Sequence, residues 1–169
     1  MFSSSNSLNM NPSFTTPLKK LIKAGIFIIL LAIAKPELAC AQTNRPVFNH
    51  AALCAKNLKK TADFYRNVLQ LKEIKHPFND TVHVWLKIGE GLALHIIQGN
   101  CTINPNDIGI HLCFAVPNLD AFIKHLDSMN VSYTNWGREP KKIQLRADGV
   151  RQIYLQDPDG FWVEVNDAK

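Results

Sequence analysis

The chain has 169 residues, 46% of them hydrophobic and 20% charged, with a formal net charge of +5. That balance fits a folded chain and excludes a long disordered or low-complexity one. The charge excess sits largely in the leader: residues 1–41 hold four Lys and one Glu, so the remainder keeps 15 basic and 13 acidic side chains, a net of +2. With no basic stripe interleaved with aromatics, nothing points to nucleic acid as a partner.

In chain order, the leader comes first. Lys19, Lys20 and Lys23 precede an apolar run of 11 residues, Ala24 to Ala34, and Ala39-Cys40-Ala41 follows with small residues where a signal peptidase cuts. This is the layout of a secretory signal. A transmembrane helix needs ~20 apolar residues, so the run is too short to span. The reading is a signal peptide over 1–41 and an exported chain that begins at Gln42, with no stable membrane anchor after cleavage. The alternative is a lipoprotein acylated at Cys40, although Glu37 stands where such a signal carries an apolar residue.

Residues 42–46 read as a linker and 47–169 as a single domain. Val47 to Ala55 predicts a strand. Asn57 is a good helix N-cap before the apolar stripe Leu58, Ala62, Phe64, Tyr65, Val68. Short strands are expected at Lys72 to His76, Val82 to Lys87 and Leu92 to Gln98, the last two joined by a tight turn at Glu90-Gly91. After a loop the pattern repeats: a strand at Ile108 to Val116, a helix capped by Asn118, and strands at Val131 to Thr134, Val150 to Gln156 and Phe161 to Val165. Gly137 to Asp148 reads as a polar, basic loop.

The repeat is visible in the residues themselves. His50 stands seven residues before Asn57-Leu58, and His111 stands seven before Asn118-Leu119, 61 residues further on. Two copies of strand, helix and three strands predict an α+β fold built from two modules, 47–99 and 108–166. His95 and Glu164 each lie in the last strand of a module. His50, His95, His111 and Glu164 all have apolar neighbours, and imidazole and carboxylate are the usual ligands of Zn²⁺, Ni²⁺, Fe²⁺ and Mn²⁺. They are the candidate ligands of one divalent metal ion, with His50, His111 and Glu164 converging on one point and His95 nearby. His95 and Glu164 are also the candidate catalytic residues.

Phe48-Asn49-His50 with Asn57-Leu58 and Phe64-Tyr65-Arg66, and the closing Ile153-Tyr154-Leu155-Gln156-Asp157-Pro158-Asp159-Gly160 through Glu164, resemble the vicinal oxygen chelate superfamily. That superfamily includes glyoxalase I, extradiol dioxygenases and drug-resistance proteins. The resemblance implies two βαβββ modules forming a curved mixed-sheet cup, with the metal on its floor at His50, His95, His111 and Glu164. It implies a glyoxalase-like lyase or isomerase acting on a small oxygenated molecule chelated to the metal. The alternatives are an extradiol-type dioxygenase or a non-enzymatic drug-binding resistance protein. The cup closes either within one chain or between the two chains of a homodimer. Two departures stand out. Glyoxalase I usually has a carboxylate where this chain has His95, and often an arginine near Cys54. Extradiol enzymes carry a histidine where this chain has Leu145-Arg146-Ala147.

Cys54 and Cys113 either pair or, like Cys101, are reduced and buried. His83 and Trp85 share a strand face. His76 and His125 read as surface residues. Arg146, Arg151, Lys141 and Lys142 bind an anionic substrate or simply solvate a loop. Asp157-Pro158-Asp159-Gly160 is a turn without chemistry of its own.

Overall fold

The structure, a computed structural model, describes residues 45–78, 80–102 and 107–169, so the expected signal peptide at 1–41 lies outside the described residues. Pro46–Lys169 form one compact unit. Its elements are β1 (His50–Ala55), α1 (Leu58–Asn67), β2 (Glu73–Ile74), β3 (His83–Gly89), β4 (Leu92–Gln98), β5 (His111–Ala115), α2 (Leu119–Ser128), β6 (Gln144–Leu145), β7 (Arg151–Gln156) and β8 (Trp162–Asn166). They make two four-stranded sheets with the same plan, β1-β4-β3-β2 and β5-β8-β7-β6. The pairs β1/β4 and β5/β8 are parallel, and the others are antiparallel. No helix among the described residues is long and apolar enough to cross a membrane.

Both helices start by the same device. Asn57 Oδ1 accepts from Lys60 N at 3.0 Å, and Asn118 Oδ1 accepts from Ala121 N at 2.9 Å. Each cap satisfies a backbone donor that the first turn would leave orphaned. Gly91 supplies the β3–β4 turn with φ +66°, a conformation that costs a side chain dearly.

A strand shows alternate residues to opposite faces, and this decides what becomes core. Leu53, Val84, Leu86, Leu94 and Ile96 lie on one face of the first sheet, and Ile153, Leu155, Val163 and Val165 on one face of the second. These side chains join Leu58, Ala62 and Tyr65 of α1 and Leu119 and Leu126 of α2 in a single buried cluster. The two modules therefore share one core. The opposite face of each sheet is turned away from it, and all four candidate ligands stand there.

The closing turn does more than reverse the chain. Asp157 Oδ1 accepts from the backbone N of Asp159 and of Phe161, both at 2.9 Å, while its Oδ2 accepts from the buried Tyr65 hydroxyl at 3.1 Å. Asp159 accepts from Thr61 Oγ1 at 2.5 Å and from Lys56 N at 3.0 Å. The second module's turn thus clamps the start of the first module's helix. His125 also faces the other module, with Nε2 3.0 Å from Asn67 O.

Against expectation, Val131 to Thr134 is no strand: only Thr134 bridges to β7, at Tyr154, and Gln144–Leu145 then continue along that edge as β6. One segment thus meets β7 in two short pieces, and the expected basic loop contains the strand. The cysteines also differ. Cys54 is joined to Cys101 in a disulfide, with Cα atoms 5.9 Å apart, and Cys113 is free. Cys54 pairs in register with Ile97 on β4, so the chain leaving β4 passes beside it, whereas Cys113 lies in the other sheet. Gly99 leaves the room: a Cβ there would meet Cys54 Sγ at 3.0 Å. Alkylation of the unfolded but unreduced protein should therefore modify Cys113 alone of these three, and all three after reduction. Modification of Cys54 or Cys101 before reduction would contradict the pairing.

Candidate functional site

The candidate residues fall into two matched sets, one on each outward sheet face. On the first, Ala52 and Trp85 both pair in register with His95, which places His50, Trp85 and His95 on one face, with His83 two residues from Trp85. On the second, Cys113 and Tyr154 both pair with Glu164, which places His111, Tyr154 and Glu164 on one face. His50 corresponds to His111, His95 to Glu164 and Trp85 to Tyr154.

In the first set the rings of His50 and His95 are 6.2 Å apart. Trp85 stacks on His95 at 4.4 Å and lies 5.3 Å from His50. His50 Nδ1 lies 2.8 Å from Asn49 Oδ1, so the ring donates through Nδ1 and leaves its Nε2 lone pair free. His95 is buried, and its Nε2 has no hydrogen-bond partner among the described residues. Burial, then the neighbouring His83, His50 and His76, hold its pKa below the ordinary imidazole value, so the ring is neutral at pH 7. A neutral imidazole with an unpartnered nitrogen is what a metal ligand requires.

In the second set His111 Nδ1 donates to Ile108 O at 2.8 Å, which again leaves Nε2 as the acceptor nitrogen, 3.3 Å from Glu164 Oε2. Glu164 is 5% exposed. Its Oε2 accepts from Tyr154 OH at 2.6 Å, and its Oε1 accepts from Asn166 Nδ2 at 2.9 Å and from Cys113 Sγ at 3.3 Å. Burial pushes the Glu164 pKa up, but the hydrogen bonds from Tyr154, Asn166 and Cys113 outweigh it, and the net shift is downward. Tyr154 moves the other way, raised first by burial and then by the carboxylate it serves. Cys113 is exposed as a residue, yet its sulfur is turned against Glu164. Loss of water and then that carboxylate push the thiol up to about 12.

These donors fit a divalent cation in kind: three imidazole nitrogens and a carboxylate, with the His50 and His111 tautomers fixed by an outer hydrogen bond. They do not all meet within one chain. Among the described residues no three His, Cys, Asp or Glu side chains gather closely enough to hold a metal ion. His50 and His95 form one pair and His111 and Glu164 another, so the single-point convergence expected for the set is not present inside the single chain. The shared core is the physical reason, because it occupies the inner faces and leaves both pairs outward.

The structure adds residues that the sequence reading left at the margin. His83 is held by Asp80, with Nδ1 2.7 Å from Oδ2, and its ring lies 5.0 Å from His95. His76 is half-buried, not a surface residue, and its Nδ1 has no partner among the described residues. Of the four basic candidates, Arg151 and Lys141 form exposed ion pairs with Asp120 and Asp127. Arg146 alone approaches the site, with Nη1 3.9 Å from Glu164 Oε1. Cys54, near the place of an arginine in glyoxalase I, is committed to its disulfide.

Two halves of one plan, each with a metal-competent pair on an outward sheet, define a class of protein. A family model described as the Glyoxalase/Bleomycin resistance protein/Dioxygenase superfamily matches residues 47–165, and the chain belongs to that superfamily. Particular relatives follow. The chain is 27% identical over 126 residues to "Glyoxylase I 4" of Arabidopsis thaliana, covering 69% of this chain and 68% of that one. It is 25% identical over 152 residues to a "Lactoylglutathione lyase" of Pseudomonas putida, covering 70% and 83%. Among solved structures, the fosfomycin resistance protein FosX from Listeria monocytogenes matches with TM-score 0.59 at 21% identity, over 74% of this chain and 93% of that one. "Oxidase ChaP-H2" matches with TM-score 0.58 at 20% identity, over 73% and 94%. The last two likenesses show the fold.

Proposed function

We propose that the protein is a metal-dependent, glyoxalase-like lyase or isomerase whose small oxygenated substrate chelates a divalent cation through neighbouring oxygens. One observation carries this reading: equivalent positions of the two modules present His50 with His95 and His111 with Glu164, each pair on an outward face. Because both pairs face away from their own chain's core, the complete set is assembled between two chains. His50 and His95 of one chain and His111 and Glu164 of a second would hold the cation. Bound there, the cation supplies Lewis-acid polarisation of the substrate oxygens. Asn49 and the Ile108 carbonyl fix the histidine tautomers, Tyr154 and Asn166 keep Glu164 ionised, and Trp85 screens His95 from water. The lactoylglutathione lyase relatives support the reaction class. Export belongs to the same proposal, and the Cys54–Cys101 disulfide supports it, since such bonds persist in oxidising compartments.

Metal analysis of the purified protein and of His95→Ala tests the reading. If His95 is a ligand, the variant loses metal. If metal stays at parental content while turnover falls ~10²–10⁴-fold, His95 is only an acid-base group. That result, with ring cleavage of a catechol by the parent, would replace the lyase by an extradiol-type dioxygenase.

A further inference from the structure

An open groove of about 390 Å³ lies along the first module beside His50. Its floor is the site face of the first sheet. Ile74 pairs with Trp85, Lys87 pairs with Ala93, and Ala93 pairs with His50, so these side chains share the face that carries His95. Two lining residues also belong to the candidate site. Asn49 holds His50 Nδ1 at 2.8 Å, and Trp85 stacks on His95 at 4.4 Å. The groove is therefore continuous with the first half-set of ligands. Its walls are mostly apolar, and two lysines stand at its rim. Lys87 is held by Glu90 at 2.9 Å, whereas Lys75 has no hydrogen-bond or ion-pair partner among the described residues. An apolar trough with one uncommitted ammonium at its edge complements an apolar segment that ends in an oxyanion.

Resting on the reading of a substrate chelated at His50 and His95, we propose that this groove binds the substrate's distal arm, an apolar segment ending in a carboxylate or phosphate received by Lys75. The substrate is then bipolar: chelating oxygens at one end, an acidic tail at the other, and a stretch that lies against Trp85 between them. Nothing in this division of labour needs the glutathione peptide.

The probes are 3-phenylpropionate, 4-phenylbutyrate and 5-phenylvalerate, each compared with its uncharged amide. Binding to the full protein is followed by the indole N–H resonance of Trp85, assigned through Trp85→Phe. At least one carboxylate should shift that resonance saturably and bind about tenfold more tightly than its amide. Lys75→Gln should abolish the preference and leave amide binding unchanged. The titration is repeated after the metal is chelated, and the carboxylate preference should persist. That repeat separates this proposal from the metal reading, which elemental analysis tests on its own. Equal affinity for acid and amide, or a preference indifferent to Lys75→Gln, would overturn the proposal. So would a preference lost on chelation, which would assign the carboxylate to the metal, or no binding by any of the three, which would leave the face to a second copy of the chain.

Discussion

If Glu164 is a ligand in the two-chain site proposed above, Glu164→Ala should abolish metal binding and lower turnover by ~100-fold. It should also destabilise the fold. The carboxylate accepts from Tyr154, Asn166 and Cys113, and Tyr154 is 2% exposed, so its hydroxyl would keep only the bond from Gln152. A buried donor left without its acceptor costs roughly 1–3 kcal/mol. Glu164→Gln separates the two effects. The amide keeps the shape and one accepting oxygen but lacks the charge and turns an NH2 toward a donor on its other side, so metal should still be lost while the melting temperature falls by less than in Glu164→Ala. Elemental analysis paired with thermal unfolding reads both. Full metal in both variants would remove Glu164 from the ligand set.

Asp157→Ala should be among the most damaging substitutions outside the site. Asp157 is 5% exposed and Tyr65 fully buried. The change removes the acceptor for the Tyr65 hydroxyl and for two backbone N–H groups, and with them the clamp between the second module's turn and α1. We expect a loss of about 3 kcal/mol, which lowers the melting temperature by roughly 10 °C for a domain of this size. Asp157→Asn keeps one accepting oxygen and should cost about half as much. Urea unfolding of the two variants measures this, and a parental midpoint for Asp157→Ala would show that the modules hold together without the clamp.

Much of this architecture could be read before any coordinates. His50 and His111 announce themselves because a duplicated module repeats its spacing, and Asn57 and Asn118 because helix capping is local. His95 and Glu164 were identifiable from their place in the last strand of each module. What stayed hidden is long-range. Whether the four side chains meet depends on what lies between the sheets, and the helices with both inner faces fill that space. The Cys54–Cys101 bond follows from the parallel pairing of β1 with β4, which brings together residues 47 apart in sequence. Asp157 and Asp159 look like turn residues until the helix they grip is placed beside them. β6 is two residues long and sits in a polar stretch, so no periodicity marks it.

The central claim is that a complete site needs two chains, and mixing two damaged proteins tests it. One carries His50→Ala with His95→Ala, and the other carries His111→Ala with Glu164→Ala. Each alone should bind no metal at the site. Unfolded together and refolded, half the dimers formed by random pairing contain both chains, and each such dimer regains one intact site of two. The mixture should therefore recover about a quarter of the parental metal content and activity. No recovery, from chains shown to form mixed dimers, would contradict the claim and return the site to a single chain.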